Sequence, residues 1–274
     1  WRQAKMEADH RRFFFQQRCQ PTSPVRRRRT VLLLAAAILP ASAAADWTAT
    51  GTFQYRDRGY NASGFTGTNS AKPVRLADVK VVDTGTSAIL ATGATDSSGA
   101  FSIPVTDSST RNIAIRAYTS SGATSGLLIE VRDDATSQAV IAVAGTTVSS
   151  HAPTTNVAMG TFVIETGSGG QEFNIFDCLL AGADAVDAFP SESRPTTAVI
   201  AYWESGSTDG TFYRSSDKTI HLLGRATDSD AYDDAVILHE FGHFVADYTS
   251  QDDTPGGSHT ITNNAQDPRL SWSE

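Results

Sequence analysis

The sequence predicts two domains, an antiparallel β-sandwich over residues 46–166 followed by an α+β domain over residues 167–274. Three observations carry this. Short β-branched runs separated by turn residues recur about every ten positions as far as Glu165, the spacing of a sandwich. Gly167-Ser168-Gly169-Gly170 then supplies a flexible joint. Beyond it Phe173, Phe176, Leu180, Ala183 and Val186 fall at helical spacing, a period absent from the first region.

Residues 1–45 belong to neither domain. Arg26–Arg29 form a charged start, Val31–Leu39 an apolar run, and Ala41-Ser42-Ala43-Ala44-Ala45 offers small residues for cleavage before Asp46. This is the pattern of a signal peptide over 26–45. The apolar run falls well short of the roughly 20 residues that span a bilayer, so no stable membrane anchor is expected. A secreted, periplasmic or cell-surface protein follows.

The charge balance agrees. The chain carries a formal −8, with 22 basic and 30 acidic residues. Nine of the basic and two of the acidic residues lie in 1–45, leaving 13 against 28, a balance of −15 for the body. Such a body excludes nucleic acid and anionic membrane as partners. Cysteine adds little. Cys19 lies in the leader, so Cys178 stands alone and is expected to be a buried core residue.

In the first domain strands are expected at Trp47–Tyr55, Val79–Val82, Ile89–Gly93, Ala100–Val105, Asn112–Tyr118, Leu127–Arg132, Ala139–Val143 and Asn156–Glu165. Asp96-Ser97-Ser98-Gly99 reads as a hairpin turn, with Gly99 supplying the positive φ. His151, among Ser, Ala, Pro and Thr, is expected to be a surface loop residue. No side chain of this domain invites a catalytic role. The run Pro73-Val74-Arg75-Leu76-Ala77-Asp78-Val79, with Asp96-Ser97-Ser98-Gly99-Ala100-Phe101, resembles the carboxypeptidase regulatory-like (transthyretin-like) domains.

In the second domain a helix is expected over Glu172–Phe189, a buried strand over Thr196–Trp203, and a hairpin of Thr211–Tyr213 with Thr219–Leu223. His221, alternating with apolar neighbours, reads as a sheet residue. The chemistry sits in the next element. Within Asp230–Tyr248 lies His239-Glu240-Phe241-Gly242-His243, an H-E-x-x-H pattern. On a helix His239 and His243 share one face and can grip a single ion, with Glu240 beside them to take a proton from water. Ile237, Phe241, Phe244, Val245 and Tyr248 form an apolar back. Asp230 is the expected N-cap, and Asp233 and Asp234 suit the positive end of the helix.

These residues resemble the zincin metallopeptidases, which implies Zn²⁺ as cofactor, a protein or peptide substrate, and Glu240 as general base. A third protein ligand is needed. Asp247 lies a further turn along the helix, beyond easy reach of an ion held by His239 and His243, and reads as a supporting or surface residue. The metzincin pattern fails because Ala246 and Thr249 occupy its Gly and His places. Leu270-Ser271-Trp272-Ser273-Glu274 resembles the second zinc helix of gluzincins, which makes Glu274 the third ligand, with His259 on its Gly-rich loop as the alternative. In that family the helix continues past the Glu, so an incomplete zincin-like catalytic domain is expected. The reading is a secreted zinc metallopeptidase. Its rival is an adhesion or scaffold protein with a β-sandwich and an inactive peptidase-like lobe.

Overall fold

The structure, a computed structural model, describes residues 46–250 apart from 62, 123–125, 127 and 190–193. In chain order the first strands are β1 (Trp47–Asn61), β2 (Gly64–Pro73), β3 (Asp78–Asp83), β4 (Ile89–Ala94), β5 (Ala100–Val105), β6 (Arg111–Tyr118), β7 (Ile129–Arg132), β8 (Ala142–His151) and β9 (Val157–Ile164). They are followed by α1 (Gly170–Asp187), β10 (Val199–Trp203), β11 (Phe212–Arg214), β12 (Thr219–Leu222) and α2 (Asp234–Thr249). The fold is β-rich with two helices.

Two four-stranded sheets pack face to face. β1 centres the first, with β5 and then β2 antiparallel along one edge and β9 parallel along the other. The second runs β4-β3-β6-β8, antiparallel throughout. The alternation is plain in β5, where Phe101, Ile103 and Val105 are buried and Ser102 and Pro104 exposed. The sheets meet at Phe53, whose ring lies 2.9 Å from where a Cβ on Gly145 of β8 would stand. Glycine there permits the close approach.

Three local expectations change. The first sheet is mixed, because β9 crosses from the opposite sheet and enters beside β1 in the same direction. The Asp96–Gly99 turn exists, with Gly99 at φ +79 and the Asp96 carboxylate accepting from Ser98 N and Ala100 N at 2.8 and 3.0 Å. It joins strands of opposing sheets, though, since β4 pairs with β3 and β5 with β1. β2 carried no sequence signal. Its Gly, Thr, Ser and Asn residues lack apolar alternation, and it forms as the partner of the far half of β1.

The third sheet positions the candidate site. Its order is β11-β12-β10-β7, with β7, β10 and β12 parallel and β11 antiparallel at the edge. β7 precedes the Gly167–Gly170 joint and β10 follows it, so sheet pairing crosses the expected domain boundary. Ile129 and Val131 of β7 are fully buried in the same hydrophobic core as Ala201 and Ile220. All described residues fall within one compact unit, Ala43–Glu274.

Helix α1 ties the sandwich to this sheet. The Tyr55 hydroxyl donates to Asp177 Oδ2 at 2.9 Å, and Arg75 reaches Asp177 Oδ1 at 2.5 Å and Asp184 Oδ2 at 3.1 Å. Burial, then Asp177, pushes the Tyr55 phenol far up, so it remains a donor at all ordinary pH. Cys178 of α1 is buried, as its apolar setting suggested. Burial, then Asp234, drives its thiol well above the ordinary range. In a Cys19→Ser protein a disulfide thiol reagent should therefore label nothing in the native state at pH 8 and one equivalent in denaturant. Full native labelling would show that α1 opens readily.

Candidate metal centre

Helix α2 begins later than the sequence suggested. Asp230 starts a single 3-10 turn, Asp230–Tyr232, and its carboxylate accepts from the Thr211 hydroxyl. The cap of α2 is Asp233, whose Oδ1 accepts from Val236 N at 3.2 Å. The difference follows from that turn, which redirects the chain before α-helical bonding begins. Asp234 stands in the first turn, where the helix dipole favours an anion.

The apolar back of α2 packs as its phase predicts. Ile237, Phe241 and Phe244 are buried, and Val245 and Tyr248 pack against the core. Phe241 lies 2.6 Å from where a Cβ on Gly182 of α1 would be, so the two helices are in close contact. A second anchor comes from Asn174, fully buried in α1, which donates to Ala231 O at 2.9 Å and to Asp234 Oδ1 at 3.1 Å. The Cys178 thiol meets the same Oδ1 at 3.0 Å. Sequence reasoning missed Asn174. Its signal was a lone amide inside Phe173-Asn174-Ile175-Phe176.

This packing leaves His239 exposed and His243 half-buried on the outer face of the helix, whereas Glu240, 7% exposed, is buried along with Ile237, Phe241 and Phe244. The two Nε2 atoms lie 3.1 Å apart, with ring centroids 4.6 Å apart and planes at 88°. Two nitrogens at Zn–N distances of about 2.0–2.1 Å on a tetrahedral ion stand roughly 3.3–3.4 Å apart. The pair fits that edge closely. Among the described residues no group of three His, Cys, Asp or Glu could hold a metal. Glu274 and His259, the two candidates for the third position, lie outside the described residues.

Asp247 faces elsewhere. Its Oδ2 accepts from the Tyr213 hydroxyl at 2.6 Å and from Lys218 Nζ, tying the last turns of α2 to the β11–β12 hairpin. Partial burial pushes its pKa up, but the hydrogen bonds from Lys218 and Tyr213 outweigh this and hold it below the usual carboxylate range. The stability this supplies is complete above the unfolded value, about 3.9, and is lost as pH falls through the lower folded value. Asp247→Asn should therefore flatten the acid limb of thermal stability below about pH 4, and an unaltered limb would show the network to be inconsequential.

The other two histidines among the described residues are placed by packing. His221 lies on β12, stacked on Phe212 with centroids 4.7 Å apart. His151 is not a surface loop residue. It ends β8, 7% exposed, with its ring 4.2 Å from Trp47 and Nε2 2.8 Å from Thr155 O. Tertiary packing over Trp47 buries it, which its polar neighbours in sequence concealed.

Among the described residues no helix is long and apolar enough to cross a membrane. A search of curated proteins returns no match. Among solved structures, a 9R-lipoxygenase from Cyanothece PCC8801 is 16% identical over 52% of this chain and 22% of its own, with a TM-score of 0.27. That similarity is too low to carry an argument. Residues 187–274 match the family model of the Mycolysin C-terminal domain, 88 of the 274 residues, a segment that includes β10 to β12 and α2 as well as His259 and Glu274. The match gives the chain a peptidase context.

Proposed function

We propose that this protein is a secreted zinc-dependent metallopeptidase. One observation carries the reading: His239 and His243 present Nε2 atoms 3.1 Å apart on the outer face of a firmly packed helix that also bears Glu240. The match of residues 187–274 to a peptidase-associated domain supports it.

His239 and His243 would hold the ion through Nε2, and Glu274 would complete the set, with His259 as the alternative. Zinc, when bound, supplies Lewis-acid polarisation of the scissile carbonyl and lowers the pKa of water from 15.7 to about 7. Glu240 takes a proton from the attacking water and passes it to the leaving amine, a contribution of about 10²–10⁴-fold. β11 ends its sheet, and an extended substrate adds to it through main-chain hydrogen bonds.

Zinc affinity tests the assignment. It should fall at least about 100-fold in His239→Ala and in Glu274→Ala, and change little in His259→Ala. Loss in His259→Ala with retention in Glu274→Ala would reverse the choice of third ligand. A parent protein that neither binds zinc nor hydrolyses a generic protein substrate would leave the scaffold reading in its place.

A further inference from the structure

The third sheet has a second face. Ala201, Ile220 and Tyr213 point towards the helices, the first two fully buried and Tyr213 edge-on to Phe244 of α2. One position along, Tyr202, His221 and Phe212 are cross-strand neighbours on β10, β12 and β11, so they project from the opposite face. Their rings form a continuous platform. Phe212 and His221 stack with centroids 4.7 Å apart at 10°, and His221 and Tyr202 lie 5.2 Å apart.

This platform floors a cleft of about 350 Å³, within the size range of ligand sites. Its walls come from the loops after β7 and β10, which bring Asp133, Asp134, Glu204 and Asp209 to the lining. Arg214 is the sole Lys or Arg there, so four carboxylates face one cation, a formal −3. None of those four carboxylates has an ion-pair partner among the described residues. Burial, then Arg214, lowers the pKa of His221 and keeps the ring neutral, so it adds no opposing charge at pH 7.

One further observation indicates what the cleft accepts. The guanidinium of Arg214 meets the His221 ring and lies 5.9 Å from the Phe212 centroid, so the platform already receives a planar cation.

We propose that this cleft is an exosite for a basic residue of a polypeptide, with the guanidinium or ammonium group over the aromatic platform between the carboxylates. That the polypeptide is a substrate rests on the peptidase reading; recognition of the cation does not. The exosite lies across the sheet from α2, so it holds a polypeptide apart from His239 and His243.

Calorimetric titration of the full chain with acetyl-Gly-Arg-Gly-amide, and with the same peptide carrying citrulline, tests this. Citrulline keeps size and shape and removes the charge. The arginine peptide should bind at least about 10-fold more tightly, roughly 1.4 kcal/mol. Glu204→Gln combined with Asp209→Asn, both exposed in the free chain, should erase that preference without lowering Tm. His239→Ala should leave it intact. Equal affinity for the two peptides, no detectable binding at about 1 mM, or parental preference in the double variant would each overturn the exosite. Loss of the preference in His239→Ala would move the peptide to the metal face, removing the exosite and leaving the peptidase reading in place. Arginine preference in a protein that takes up no zinc would remove the peptidase reading alone.

Discussion

Glu240→Gln should lower peptide hydrolysis at least about 100-fold while the zinc content of the purified protein stays at the parental level. The two outcomes separate because the proposed function gives Glu240 and the histidines different tasks. His239 and His243 bring their Nε2 atoms within 3.1 Å of each other, whereas Glu240 lies between them in sequence and is 7% exposed. Glutamine keeps the shape and length of the side chain but cannot take up a proton at neutral pH. Turnover under saturating substrate, with metal measured on the same sample, is the check. Parental turnover would reject Glu240 as the base, and loss of zinc together with activity would recast it as a ligand.

Phe53→Ala costs about 3–5 kcal/mol of stability, the range for deleting a fully buried phenylalanine. Phe53 is 1% exposed, packs 5.7 Å from the ring of Phe101 and 5.9 Å from that of Phe162, and fills the space beside Gly145 on the facing sheet. Glycine at 145 has no side chain with which to close the cavity. At about 2–4 °C per kcal/mol for a unit of this size, Tm falls by about 6–20 °C. Thermal unfolding followed by circular dichroism measures it. A shift below about 2 °C would mean that the sheets collapse onto the vacated space. Zinc affinity at temperatures where the variant is folded should not change, because Phe53 lies in the sandwich and not on α2.

The long-period signals of the sequence survive in the structure wherever burial is local. The helical phase of Ile237, Phe241 and Phe244 sets which side of α2 packs, and that alone turns His239 and His243 outward. Alternation in β5 and the Asp96–Gly99 turn are likewise readable, because each depends on neighbours within a few residues. Partners distant in sequence are another matter. Nothing in Ile129-Glu130-Val131-Arg132 distinguishes a sandwich strand from one that pairs with Val199–Tyr202 across a glycine joint. β2 exists only because β1 offers it an edge, and His151 is buried only because Trp47 covers it. The cap of α2 moved from Asp230 to Asp233 for a similar reason, since a 3-10 turn and the contact with Thr211 intervene. Periodicity records which face of an element is apolar. The choice of what that face meets is made by packing across the whole unit, and it was packing that set Phe212, His221 and Tyr202 side by side.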